Sequence, residues 1–347
     1  MTKLSIIIPV YNVEKYIQVC LESIYRQGLD EDDYEVIIVN DGTPDRSMEV
    51  IQDIIAAHAN ITVINQENLS LSVARNNGIA AAKGEYILMP DSDDLLIENS
   101  LKPLLDKALE TKADLVVADF LEMGDKEIAQ SGNLRNSGEA TFVEKTGTQL
   151  FLEDLNPRQC YVWRTLYRRA FITGEKLTFV PGIRYQDVPF THEAYLKAGK
   201  CMRTHWLLNI YRRGHESATY SFSVQRSKHL CKAMKETWEL RLLEQNTPAT
   251  RHKIEDDVYI SFKTLILLIA YSFHDNSTRM EILNHLKQQI PDLTFKNGIM
   301  QRVISWFYQQ MPHFYMNINY YGRKYKRIVY NVIYRIPAFI CKKNYCR

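Results

Sequence analysis

The chain has 347 residues, 46% hydrophobic and 24% charged, which suits one large domain with a smaller one and argues against a disordered segment. Lys and Arg total 43 against 41 Asp and Glu, and a net charge of +2 argues against a dedicated nucleic-acid binder. Six cysteines (Cys20, Cys160, Cys201, Cys231, Cys341, Cys346) show neither CxxC pairs nor a dense framework, so zinc ribbons and disulfide scaffolds are disfavoured and a reducing cytosol fits.

Short β-rich apolar runs alternate with helical patterns over the first 120 residues, the pattern of an α/β fold with a mostly parallel central sheet flanked by helices. Strands are predicted at Leu4 to Pro9, Glu35 to Asn40, Ile61 to Asn65, Tyr86 to Met89 and Asp114 to Ala118, with helices beginning near Val13, Ser47, Ser72 and Asn99. The first run contains Pro9 and lacks a small-residue cleavage site, so it reads as a buried strand and not as a signal peptide. From about 121 to 160, Gly124, Gly132, Gly138 and Gly147 punctuate a polar stretch of loops and short strands. A second ordered block, Tyr161 to Arg213, contains Trp163, a turn at Pro181 and Gly182, and a helix starting at Asp187. Beyond Gly214 the pattern is mainly helical, near Ser227 to Leu243 and Ile254 to Phe273. The longest apolar stretch there, Leu265 to Ala270, is far below the roughly 20 residues that span a bilayer.

A parallel sheet places ligands beyond the carboxyl ends of its strands. Four such ends carry polar groups: Tyr11 and Asn12, Asp41 and Gly42, Asn68, and the run Asp91, Ser92, Asp93, Asp94. Two carboxylates at i and i+2 on a loop leaving a strand can share one hard divalent cation, Mn2+ or Mg2+, with phosphate oxygens completing its coordination. The same run also suits a solvated turn that caps the following helix. Asp41 can accept an N–H from a nucleobase or serve an Asp-Gly turn. Arg75, one turn into its helix, offers a donor fork to phosphate, and Tyr11 a flat face for a base; each residue type is also common in plain surface or packing roles. An Asp-x-Asp phosphatase would place its motif after the first strand, and an EF-hand loop is blocked by Leu95 and Leu96. No GxGxxG or Walker A sequence is present.

The stretches SIIIPVYNVEKYI, VIIVNDGTPDRS and SVARNNGIAAAKGEYILMPDSDD resemble the nucleotide-binding half of the family 2 glycosyltransferases, which have the GT-A fold. The resemblance covers residues 3 to 120 strongly and extends to about 220 through VWRTLYRRAF, FVPGIRYQDVPFTHEA and YRRGHESAT. It implies that Pro9 and Tyr11 hold a uracil, that Asp41 contacts its N3 edge, and that Asn68, Arg75, Asp91 and Ser92 complete the nucleotide site. Asp91 and Asp93 would be the metal pair and Asp187 the catalytic base of an inverting transfer from a UDP-sugar to a hydroxyl. The family often has Glu before this base, where this chain has Gln186. Arg212, His215 and Ser217 lie in a segment resembling the diphosphate-closing loop, or a polar interdomain turn. Trp163 would be an acceptor-side platform or a core residue.

The expected organisation is a GT-A domain over 1–215, with a nucleotide half at 1–120 and an acceptor half at 121–215, followed by a helical accessory region at 216–347. The expected acceptor is a saccharide or lipid-linked saccharide in cell-surface polysaccharide synthesis, and the setting is the cytoplasm or the inner face of the plasma membrane. No acidic residue follows Asp292, while Arg323, Lys324, Lys326, Arg327, Arg335, Lys342, Lys343 and Arg347 crowd the end among Tyr and Ile. That tail suits contact with an anionic membrane or packing on the protein, and the helical third suits a homodimer surface. Absence of a QxxRW motif favours addition of single sugars. The competing reading, motivated by Gln186, is an inactive sugar-nucleotide-binding or membrane-associated scaffold.

Overall fold

The computed structural model describes residues 2–132, 134–214 and 223–322. In chain order its elements are β1 (Leu4–Val10), α1 (Ile17–Ile24), β2 (Tyr34–Asn40), α2 (Gln52–Ala57), β3 (Ile61–Asn65), α3 (Leu71–Ala81), β4 (Tyr86–Leu88), β5 (Leu95–Leu96), α4 (Leu101–Thr111), β6 (Leu115–Gly124) and α5 (Asp125–Ser131). β7 (Val143–Lys145), α6 (Gly147–Gln149), β8 (Thr165–Arg168), α7 (Arg169–Gly174), α8 (Asp187–Lys197) and β9 (Cys201–Arg213) follow. The C-terminal part carries α9 (Val224–Glu239), α10 (Pro248–Ser272), α11 (Asn276–Gln289) and α12 (Ile299–Gln310), with a further helical stretch at 312–322.

β1 is buried along its whole length, so both of its faces need cover. Ile6, Ile8 and Val10 share one core with Ile17, Leu21 and Ile24 of α1, which recur at the i, i+4, i+7 spacing of one helix face, and with Leu101, Leu104, Leu105 and Ala108 of α4. Their neighbour Ile7 points the other way, against α3. A Cβ on Gly78 would lie 2.2 Å from Ile7 Cγ2, so glycine at this position lets α3 settle onto β1.

The sheet runs β3-β2-β1-β4-β8-β6-β9-β5, with β7 paired to β9. β3, β2, β1 and β4 are mutually parallel, so their carboxyl ends open on one edge. β6 is separated from β4 by β8, which is antiparallel to both. β9 runs parallel to β6, and β5 pairs antiparallel with β9. The outcome is a mixed, mainly parallel sheet flanked by helices, followed by a helical C-terminal region.

The chain divides into two compact units, Met1–Tyr220 with Glu236–Ile254, and Ser221–Lys235 with Glu255–Arg347. In the second, Phe262 packs against Phe295 at 5.3 Å and Tyr308 at 5.1 Å between ring centres. Asp256 there accepts hydrogen bonds from Asn297 at 3.1 Å and Gln301 at 2.7 Å, tying the start of α12 to α10. Among the described residues, no helix is long and apolar enough to cross a membrane.

Candidate active site

The loops after β1 and β2 are built as one piece around Asp45. Its carboxylate accepts from Thr43 Oγ1 at 2.6 Å, Ser47 Oγ at 2.5 Å, the Ser47 N–H at 3.1 Å and the Glu14 N–H at 2.9 Å. Thr43 Oγ1 in turn accepts from the Asn12 N–H at 2.8 Å, and Ser47 Oγ from the Val13 N–H at 3.0 Å. Partial burial acts to raise the Asp45 carboxyl, but the Ser47 and Thr43 hydroxyls and the two N–H groups outweigh it and hold the pKa below the usual value. Tyr11, at the mouth of this assembly, is 45% exposed, while Pro9 is buried inside β1 opposite Val39.

Asp41 is buried, and its carboxylate accepts from Gln66 Nε2 at 2.6 Å and from the N–H groups of Leu69 at 2.8 Å and Ser70 at 3.1 Å. It therefore shapes the loop that carries the exposed Asn68. Gly42 takes φ +64° where an added Cβ would lie 3.0 Å from the Asn68 N, which brings the β2 and β3 ends together.

The acidic run leaves β4 and is held from behind by α1. Cys20 Sγ donates to the Asp91 carbonyl at 3.6 Å, Ser23 Oγ accepts from the Leu96 N–H at 3.0 Å, and Gln27 Nε2 donates to the Ile97 carbonyl at 3.0 Å. Each of Asp91, Asp93 and Asp94 offers a carboxylate oxygen, and these lie within 4.8 Å of one another. Arg75, buried on α3, pairs through Nη2 with Asp91 and lies 5.4 Å above the Phe179 ring, while its Nε has no hydrogen-bond partner.

Charge is crowded here. Burial pushes the Asp91 carboxyl up to about 6; Arg75 opposes this, and Asp93 and Asp187 add to it. Asp94, 2% exposed, is pushed well above the usual range by burial and then by Asp93 and Asp91, and its Oδ2 has no partner. Three close carboxylates, one with an orphaned buried oxygen, fit a hard divalent cation. Asp187 begins α8; burial raises its carboxyl, while Arg75, its own N–H and that of Val188 act in the opposite direction. The structure thus brings Arg75, Asp91, Asp93 and Asp187 into one electrostatically linked group. Gln186 beside it is 4% exposed, with Oε1 unpartnered.

One expectation is corrected, and one open alternative is decided. Arg212 is not in a loop: it lies in β9, 8% exposed, with Nε on the Asp93 carbonyl at 2.9 Å, Nη1 on Asp125 at 2.5 Å and its guanidinium 4.9 Å from the Tyr16 ring centre. Its own N–H also donates to Asp94 Oδ1 at 2.9 Å, so the residue braces the acidic loop. Trp163 is 2% exposed and is not an open platform, because Tyr161 stacks on it at 4.7 Å and Phe120 meets it edge-on at 4.9 Å. His215, Ser217 and the basic tail from Arg323 lie outside the described residues.

Several contributors escape sequence reasoning: Asp45, Ser72 and Asn76 have no motif of their own, and Asp94 belongs to the acidic run without being one of its expected metal pair. Asn76 and Ser72 stand on either side of Arg75 on α3, and that adjacency was the available signal.

A mixed sheet whose parallel strand ends meet an acidic loop in this way has the architecture of the GT-A fold. The family model described as glycosyl transferase family 2 matches residues 5–173. The uncharacterized glycosyltransferase EpsJ of Bacillus subtilis is 34% identical over 289 residues, which cover 82% of each chain. The poly(ribitol-phosphate) beta-glucosyltransferase of Bacillus spizizenii is 30% identical over 201 residues, 57% of this chain and 30% of the relative. The structure of S. aureus TarS 1-349 in complex with UDP-GlcNAc superposes with a TM-score of 0.71 at 18% identity, covering 94% of this chain and 92% of that one. The chain belongs to glycosyl transferase family 2, and its relatives include an enzyme that glycosylates a ribitol-phosphate polymer.

Proposed function

We propose that this protein moves a hexosyl or N-acetylhexosaminyl group from a UDP-sugar to a hydroxyl of a saccharide or lipid-linked saccharide, with inversion, in the assembly of a cell-surface polysaccharide. The observation that carries the reading is the acidic loop at the sheet edge, where Asp91, Asp93 and Asp94 offer carboxylate oxygens within 4.8 Å of one another and Arg75 pairs with Asp91. The UDP-GlcNAc complex of TarS, which shares the fold, supports the choice of donor.

In this reading Tyr11 stacks on the uracil, Asp41 and Asn68 address its edge, and Pro9 backs the base from β1. Arg75 and Ser92 face the diphosphate, with Arg75 offering a charge-assisted donor fork. Asp91 and Asp93 would hold Mn2+ or Mg2+, which supplies Lewis-acid stabilisation of the departing diphosphate. Asp187 accepts the acceptor hydroxyl's proton as the oxygen attacks. A carboxyl raised by burial is better matched to that role near neutral pH, and such general-base help contributes about 10² to 10⁴ in rate. A single displacement from the face opposite the leaving group inverts the anomeric carbon. Residues 1–215 carry this chemistry, 216–347 form an accessory region, and the basic tail draws the enzyme to an anionic membrane.

The test is a screen of UDP-sugars with Mn2+, reading released UDP by mass spectrometry, on the parent and on Asp93→Ala and Asp187→Ala. The first variant is expected to lose metal-dependent donor binding; the second keeps donor binding and loses transfer. UDP binding without turnover of any donor would favour the inactive-scaffold reading, and undiminished transfer by Asp187→Ala would remove that residue from the mechanism.

A further inference from the structure

In the second compact unit, α12 has two unlike faces. Ser305 and Tyr308 are buried, with Ser305 Oγ accepting from the Phe295 N–H at 2.7 Å and Tyr308 stacked edge-on to Phe262. The opposite stripe is apolar and in solvent: Ile299 is 82% exposed, Val303 43% and Trp306 54%, at the i, i+4, i+7 spacing of one helix face. Arg302, also exposed, lies among them. Helical residues 312–322 continue the pattern with exposed Phe314, Ile318 and Tyr321. A soluble protein seldom leaves so many large apolar side chains clustered in solvent without a use.

We propose that the outer face of α12 docks onto an anionic lipid surface, inserting Trp306 at headgroup depth. Charge selects this occupant. After Asp292 the sequence has ten Lys or Arg and no Asp or Glu, so the apolar face belongs to a stretch of purely positive charge. A second copy would bring an equally positive stretch against the first, whereas anionic headgroups neutralise it. Indole rings favour the boundary between headgroups and acyl chains, where the ring is desolvated and its N–H stays wet. The proposal deepens the membrane-attached part of the reading above by assigning the contact to a structured face and not to the tail alone.

Of the four tryptophans Trp306 is the exposed one, since Trp163 and Trp238 are each 2% exposed and Trp206 is partly buried against the core, and the Trp306→Phe variant separates its signal from theirs. The full chain is mixed with vesicles of phosphatidylcholine alone or with phosphatidylglycerol, some carrying brominated acyl chains that quench indole on contact. Expected are binding to the phosphatidylglycerol vesicles only and bromine quenching that disappears in Trp306→Phe while binding remains. Val303→Glu with Trp306→Glu lowers the partition at least tenfold. The milder pair Ile299→Ser with Val303→Ser lowers it in the same direction should the first pair fold poorly. Unchanged partition of both pairs overturns the proposal. It is also overturned if Lys324→Gln, Lys326→Gln and Arg327→Gln abolish binding while the face variants do not, or if the face variants only dissolve an oligomer that never bound lipid. Donor turnover without vesicles is unaffected by the face variants, so failure of the docking surface and failure of the transferase reading are told apart.

Discussion

Asn76 and Phe179, 103 positions apart, exchange two hydrogen bonds: Asn76 Nδ2 donates to the Phe179 carbonyl at 2.8 Å, and the Phe179 N–H donates to Asn76 Oδ1 at 2.9 Å. Three residues further along, the Gly182 N–H donates to Ser72 Oγ at 3.0 Å. One face of α3 therefore carries Arg75 and, on either side of it, the groups that anchor the segment leading into Asp187. Phe179 is itself stacked on Phe190 of α8 at 3.9 Å, so the anchor reaches the helix that Asp187 begins. Asn76→Ala removes both bonds, worth about 1–3 kcal/mol together. Misplacing a catalytic group by an ångström costs on the order of 10²-fold in rate. The expected outcome is a fall in kcat of about 10- to 100-fold with donor KM changed by less than about threefold. Asn76→Asp, which keeps only the acceptor, falls between. A variant with normal kcat and a lower Tm would make Asn76 a stability residue only.

The acidic loop predicts an inverted pH dependence of stability in the metal-free protein. Asp91 titrates at about 6 when folded, against 3.8 for an ordinary Asp, and Asp94 and Asp187 shift in the same direction. Between those values the folded state binds more protons than the unfolded one, so stability falls as pH rises from about 4 through about 6. One pKa unit corresponds to about 1.4 kcal/mol, and allowing for the partial exposure of Asp91 the loss there is about 1–2 kcal/mol. Thermal scans in chelator are expected to show a Tm several degrees lower at pH 7.5 than at pH 5, and Mn2+ should close the gap. A Tm indifferent to both pH and Mn2+ would mean that these carboxylates are not crowded in solution.

Trp163 is expected to behave as a core residue. With Tyr161 on its face and Phe120 at its edge, Trp163→Ala opens a cavity costing about 3–5 kcal/mol. Trp163→Phe keeps most of the packing and should leave the acceptor KM unchanged, measured once an acceptor is in hand. A rise in acceptor KM at full stability would restore the platform role.

The legible parts of this molecule are those whose cause is local. β1, β2 and β3 announce themselves by apolar runs, and the polar residues just past them fall at strand ends because a parallel sheet has nowhere else to put them. The acidic run after β4 is visible for the same reason. The place of Arg212 in β9 and the choice between core and platform for Trp163 are not legible because their surroundings come from far away in sequence: Arg212 meets Asp93 across 119 positions, and Trp163 is covered by Phe120 of β6. The insertion of β8 between β4 and β6 is equally nonlocal, since a four-residue strand has no periodicity to distinguish it from a loop. Asn76 carried no mark of its own, because an Asn inside a helix reads as a solvated residue until its partner is known.

Asp45 provides the counterpart to Asn76 on the other side of the site. It accepts four hydrogen bonds that tie the loop carrying Tyr11 to the loop that follows Asp41 and Gly42, and among the described residues none of them leads to Asp187. Losing it should loosen the base-binding side while leaving the proton acceptor in place. Asp45→Ala is expected to raise donor KM about tenfold with kcat within about threefold, the reverse of the Asn76 pattern. Asp45→Asn retains the shape but replaces one accepting oxygen by a donor facing Ser47 and Thr43, so it should fall closer to Ala than to the parent. Because the hydrogen bonds hold the Asp45 pKa below the unfolded value, its contribution is present above that value and is lost as pH falls through the folded pKa. At neutral pH the bonds are fully made, and a KM effect that disappears on moving from pH 6 to pH 8 would contradict this assignment. Steady-state kinetics of both variants on one donor, read as the split between KM and kcat, decides whether the two loops divide the work as their hydrogen bonds imply.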